Sequence, residues 1–317
     1  MRIRRRTNLL WGIIPFAVGV TLLLNGVEAI PEGLYDVLQR AWPALLVVIG
    51  LGLLLRERVP FGSAAAVVIT GGLVAGMVFV AYSDRSGQVR DDLRVAIAES
   101  VGDDITLLVV NLRMLDADLT LVRGDEREDG VTGTFIGSTE SEISTQVNDS
   151  GAGTLEITIE ETKPSQFPLL EAVGRGTLSV EIPPEVSVAV NVVVDDGLVT
   201  LNLGDVELER LTLNLNIGDA VVTLPAFQPR SLDPVERPGE LIVRNGELTI
   251  FVPDEIDARI AFDRRGGGIA PVYDPAYIVQ VDNVDGILRR DVESADIRLY
   301  YEVIIPDGVL TLEVIRD

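Results

Sequence analysis

A chain of 317 residues with no histidine, no cysteine and one lysine, Lys163, lacks the commonest general base, the commonest metal ligand and any thiolate. Its 49 acidic residues against 26 basic ones leave a formal net charge of −23, the wrong sign for nucleic acid, which is bound by cationic surface that displaces counterions. The expected class is a protein that is not an enzyme, with no catalytic residue, no cofactor, no metal and no nucleic-acid partner.

The charge is uneven along the chain. Residues 1–83 hold seven arginines and four acids, net +3, so the remaining 45 acids and 19 basic residues give net −26. Three apolar runs fill that head, from about Leu9 to Val27, Leu38 to Leu55 and Phe61 to Tyr82. Each approaches the ~20 residues that cross hydrocarbon, and Trp11 and Trp42 suit an interfacial belt. A helical membrane head of about three spans is expected over 1–83, with the lipid bilayer as partner. Arg2, Arg4, Arg5 and Arg6 would hold the N-terminus in the cytoplasm, making a multi-pass protein of the cell membrane with its acidic body extracytoplasmic. Gly72 and Gly76 form a small-xxx-small pattern that allows close helix packing.

Residues 84–94 read as a short polar linker, and 95–317 as an all-β body. Ile105–Val110 and Leu119–Val122 alternate as strands, Gly124–Gly130 is a charged turn, and Thr132–Gly137 and Thr154–Glu160 are further strands. The polar run Ser138–Gly153 is a loop or solvated edge. Glu161–Gly174 and Phe227–Gly239, with their prolines, read as inserted loops.

The clearest pattern begins at Gly176. A glycine followed by an alternating strand recurs at Gly176, Gly197, Gly218 and Gly246, at steps of 21, 21 and 28 residues. Leu178, Val180 and Ile182 share one face, and such a strand buries that face only against a neighbour. The spacing predicts a β-solenoid or stacked sheet with about 20–28 residues per coil; an antiparallel β-sandwich with glycine hairpins is the alternative. Gly176, Gly197, Gly218 and Gly246 are then corners, Asp219 caps its own turn, and Pro253 stops a strand because it offers no ladder donor. Looser glycines at 133, 153, 268, 286 and 308 extend the series.

Two stretches resemble a known family. Leu10–Asn25, followed by a Trp42-Pro43 helix rich in Leu and Gly, resembles the LiaI/LiaF-like transmembrane region of bacterial envelope proteins. Asn216-Ile-Gly-Asp-Ala-Val-Val-Thr-Leu-Pro225 and Gly246-Glu-Leu-Thr-Ile-Phe-Val-Pro-Asp-Glu-Ile256 resemble the toast-rack C-terminal domain of LiaF-type proteins. The resemblance implies a role in responses to cell-wall-active antibiotics, with a membrane sensor kinase or other envelope protein as partner. The chain departs from that type in its three expected spans and its longer β-region.

Carboxylate pairs (Asp103-Asp104, Asp195-Asp196, and the corners Gly204-Asp205 and Gly218-Asp219) could bind calcium, but they lack a dense ligand repeat, and an aspartate at a turn ordinarily bonds its own backbone. Lys163 with Ser165 lacks the Ser-x-x-Lys spacing of a serine–lysine dyad. Two carboxylates could cleave a glycan, but no aromatic cluster for sugar stacking accompanies them. The expected function is envelope regulation by protein contact; the alternative is a structural, surface-anchored β-solenoid scaffold or adhesin.

Overall fold

A computed structural model describes residues 87–125, 129–164, 173–230, 239–263, 269–282, 285–290 and 297–316, with scattered residues between Val68 and Ser86. The chain divides into two compact units, residues 1–88 with 165–173, and residues 89–164 with 174–317. Among the described residues the second unit contains seventeen strands. They are β1 (Leu93–Ser100), β2 (Leu107–Arg123), β3 (Gly130–Gly137), β4 (Glu142–Asp149), β5 (Thr154–Thr162), β6 (Gly176–Ile182), β7 (Ser187–Asp196), β8 (Val199–Asn202), β9 (Leu208–Ile217), β10 (Ala220–Thr223), β11 (Gly239–Pro253), β12 (Ile256–Asp263), β13 (Val272–Tyr273), β14 (Tyr277–Asp282), β15 (Asp285–Arg290), β16 (Ile297–Ile304) and β17 (Asp307–Ile315).

Alternation decides what each strand buries. In β2, Leu108, Val110, Leu112 and Met114 are buried, and so are Ala117, Leu119 and Leu121. Buried positions are even before Leu115 and odd after Asp116. Side chains of a strand alternate faces, so this change of phase turns both halves of β2 toward one interior. The same change separates β7 from β8 (Val194 to Val199), β9 from β10 (Leu215 to Ala220) and the two halves of β11 (Val243 to Leu248). Each coil is thus a strand, a corner and a second strand, both feeding a single core.

Parallel pairing stacks the coils. The first sheet runs β4, β5, β2, β7, β9, β11, β16, β12, β15, β14. The second runs β1, β3, β6, β2, β8, β10, β11, β17, β13. Antiparallel strands lie only toward the ends: β4 on β5, β3 on β6, β1 on β3, β15 on β12 and β14 on β15. Because β2 and β11 cross both sheets, hydrogen bonding joins all 17 strands into one network. The coils are not stacked in chain order. β2 lies between the β5–β6 coil and the β7–β8 coil, although it precedes both in sequence.

The helical membrane head requires correction. No helix among the described residues is long and apolar enough to cross a membrane. The runs 9–27 and 38–55 lie outside the described residues. Of the third run, Val68, Gly71, Gly72, Gly76, Phe79 and Tyr82 are described, each helical, and the rest lies outside the described residues. An apolar run satisfies hydropathy, whereas crossing hydrocarbon needs an unbroken helix of about 20 residues. The three-span fold, the transmembrane class and the multi-pass location therefore do not stand. Gly72 and Gly76 are exposed, and a Cβ added at either would meet nothing within 4 Å.

Smaller differences concern boundaries. The stretch read as a linker at 84–94 already carries a bridge from Val89 to Arg175 and the start of β1. The two strands read at 105–110 and 119–122 form one strand of 17 residues, β2. The polar run 138–153 contains β4, a solvated edge paired on one side with β5. Most of the two inserted loops, 165–172 and 231–238, lies outside the described residues.

Candidate functional site

The corner between the sheets is built from residues that can sit under a neighbouring backbone. Gly176 faces Ala117, and the registers Asp116 to Asp196, Asp196 to Ile217 and Asn245 to Ile217 bring Gly197, Gly218 and Gly246 into the same row, which Gly308 continues. A Cβ at Gly197 would lie 2.1 Å from the Ala117 carbonyl oxygen, at Gly218 2.0 Å from that of Gly197, and at Gly246 1.8 Å from that of Gly218. Gly308 would meet the Gly246 oxygen at 1.8 Å. The expected reason for these glycines, positive φ, applies to Gly218 at +126° and Gly246 at +147°. At Gly197 and Gly308 the cause is the carbonyl of the adjacent coil. At Gly176 it is the ring of Phe135, 2.6 Å from an added Cβ. Asp219 accepts a hydrogen bond from the Glu247 backbone N–H at 2.8 Å, so it ties one coil to the next. Pro253 is the last residue of β11, opposite Ile315.

Beside this row sits a charged cluster that pattern reading missed. Glu161 is buried, and its carboxylate accepts from the backbone N–H groups of Leu115 at 3.0 Å and Asp116 at 3.1 Å and from the Ser141 hydroxyl at 2.6 Å. Those two residues are where the burial phase of β2 changes. Lys163 reaches Asp116 at 3.0 Å. Arg175 touches three carboxylates on two strands: Asp116 at 3.5 Å and Asp118 at 3.4 Å on β2, and Asp196 on β7. Asp118 also accepts from the Leu198 backbone N–H at 2.9 Å. At the opposite turns, Glu207 accepts from Ser187 and Arg230, and the Arg230 guanidinium lies over the Phe227 ring. Nothing in a single strand announces such a cluster, because its contacts join residues 20 to 80 positions apart.

The outward faces carry ordered polar rows. On the first sheet, Gln146, Thr158, Asn111, Asn191, Thr212, Glu240 and Glu302 are successive register partners. Asn111 donates to Glu156 at 2.7 Å and Thr158 at 3.2 Å, and Asn191 donates to Asn111 at 3.3 Å. On the second sheet, Thr134, Ser179, Thr120, Thr200, Val221, Thr249 and Thr311 line up in the same way. These rows offer hydroxyls and amides at one strand spacing, a surface suited to contact.

The carboxylate pairs do not gather. Asp196 is engaged by Arg175 and Asp219 by Glu247. Among the described residues no group of three or more potential metal ligands lies together. Lys163 is committed to Asp116, and Ser165 lies outside the described residues. Burial pushes the Tyr301 hydroxyl well above its usual range, so it is held protonated in the core.

No family model matches the chain, and no curated protein does. Among solved structures, the fold is similar to a "putative cell adhesion protein" from Clostridium sporogenes, with a TM-score of 0.54 and 17% identity over 70% of this chain and 100% of the other. Weaker likenesses are a "putative adhesin" from Bacteroides fragilis (TM-score 0.24, 12% identity, covering 71% of this chain and 98% of the other) and one from Parabacteroides merdae (TM-score 0.19, 10%, 70% and 97%), and these carry no argument. The resemblance to LiaF-type proteins rests on its sequence motifs alone.

Proposed function

We propose that this protein is a non-catalytic surface scaffold of the adhesive type, acting by contact through the outer faces of its stacked sheets. The observation that carries this reading is the pair of outward rows, polar throughout on the first sheet and interrupted only at Val221 on the second, whose central members are held by parallel pairing to both neighbours. A binding surface works best on elements whose rotamers and backbone are locked by packing, and five consecutive strands of each sheet have parallel neighbours on both sides: β2, β7, β9, β11 and β16 in the first, β2, β8, β10, β11 and β17 in the second. The likeness in fold to a protein named for cell adhesion agrees with the same reading. Regulation of a sensor kinase, the role implied by the LiaF-type motifs, has no comparable structural feature behind it.

The test is retention. Beads coated with the full chain are passed over cell monolayers and matrix-coated surfaces under flow, beside beads carrying an unrelated protein of equal negative charge. Selective retention supports adhesion. Equal retention, together with an altered envelope-stress reporter in a deletion strain, would replace it with the regulatory role.

A further inference from the structure

The turn after β2 reads Arg123-Gly124-Asp125. Arg123 is the last residue of the strand and faces Ile182 of β6. The Gly124 N–H then donates to the Ile182 carbonyl at 2.8 Å, so the tripeptide leaves the sheet from a pinned point. Arg123 and Asp125 are both exposed, and neither has an ion pair or side-chain hydrogen bond among the described residues. That is unlike Arg175, Arg230 and Arg316, each of which is paired with a carboxylate. Arg94, Arg113, Arg210 and Arg244 are likewise exposed and without such a pair among the described residues, but none of them is followed by glycine and aspartate. Here the Arg123 guanidinium stands free, next to a free carboxylate, across a residue with no side chain.

We infer that Arg123-Gly124-Asp125 is a recognition tripeptide for a receptor whose site combines a bound divalent cation with an acidic pocket. The chemistry is complementary group by group. The Asp125 carboxylate supplies an oxygen ligand to a hard cation held by the receptor. The Arg123 guanidinium forms a forked, charge-assisted pair with receptor carboxylates. Gly124 lets the receptor approach the backbone between them. The strand that presents the three residues is flanked on both sides within each sheet, which limits the entropy lost on binding. This inference rests on the adhesive reading and names one class of partner for it.

The experiment uses the full chain and a purified, cation-dependent receptor ectodomain selected for binding linear Arg-Gly-Asp peptides. Binding in magnesium is measured by surface plasmon resonance for the wild-type chain and for Asp125→Glu and Arg123→Lys, which keep the charges but move them. Circular dichroism checks that the variants retain their strands. The expected result is micromolar binding that chelation abolishes, that a free Arg-Gly-Asp peptide competes away, and that each variant weakens by about tenfold or more. Absence of wild-type binding at micromolar concentration overturns the inference, as does equal binding by wild type and Asp125→Glu. If Asp125→Glu beads are retained on cells as well as wild type, the tripeptide fails while adhesion stands. Loss of cell retention by wild-type beads removes the adhesive reading itself.

Discussion

At the scale of single residues, the corner row gives the sharpest expectation. Gly218 and Gly246 combine a left-handed φ with a carbonyl oxygen 2.0 Å and 1.8 Å from where a Cβ would go. The obstacle is backbone of the adjacent coil, so relief requires the stack itself to open. Gly218→Ala or Gly246→Ala is expected to destabilise the body by about 3 kcal/mol. Gly204 supplies the control, since its added Cβ would meet Thr223 at 3.7 Å, an ordinary contact. Gly204→Ala should stay within about 0.5 kcal/mol of wild type. Chemical denaturation with an unchanged slope and a shifted midpoint reads both. The glycine spacing was legible in the sequence at 176, 197, 218 and 246. Ala117 was not, because the coil of β2 fills the same position with a methyl group and a glycine search passes over it. Gly308 belongs to the row while Gly133 and Gly153 do not, a distinction only register makes.

At the scale of elements, the corner is held by charge as well as by close packing. Arg175 joins β6 to β2 through Asp116 and Asp118 and to β7 through Asp196. Its side chain is 19% exposed against 46% for Asp196, so solvent screens part of the attraction. Removing it leaves three carboxylates facing one another beside Lys163. Arg175→Ala is expected to cost about 1–2 kcal/mol, less than a fully buried pair because of that screening. Arg175→Lys should recover only part of the loss, since an ammonium cannot fork to three carboxylates. Thermal unfolding at low and high salt checks the cause. The wild-type advantage over Arg175→Ala should shrink as salt rises; an advantage independent of salt would assign it to packing of the stem instead. Alternation made the strands readable, but the pairing of Arg175 was not, since its carboxylates come from residues 57 to 59 positions earlier and 21 later.

At the scale of the whole molecule, the departure from chain order has the largest consequence. A solenoid built coil after coil is stabilised by nearest neighbours, and shortening it from one end leaves the rest standing. Here β2 is the interior coil on which both β5–β6 and β7–β8 are laid, and the chain passes across it through Pro183-Pro184-Glu185-Val186. Apolar alternation tells that a strand has a face to bury, not which strand lies beside it, so this order was illegible before the registers were known. Two truncations of equal plausibility from sequence should therefore behave differently. Removal of residues 256–317 takes the terminal coil and its antiparallel strands, exposing only the edge of β11; the product is expected to keep a cooperative melt at a lower temperature. Deletion of residues 107–123 strips Leu108, Val110, Leu112, Met114, Leu119 and Leu121 from the core and leaves β5, β6, β7 and β8 each without a partner on one side. Open parallel edges with buried-type side chains aggregate rather than fold. Size-exclusion chromatography and far-ultraviolet circular dichroism on heating decide between them. A soluble, cooperatively melting product from the 107–123 deletion would mean that the later coils fold without β2, and the interior place of that strand would then be an accident of assembly rather than its foundation.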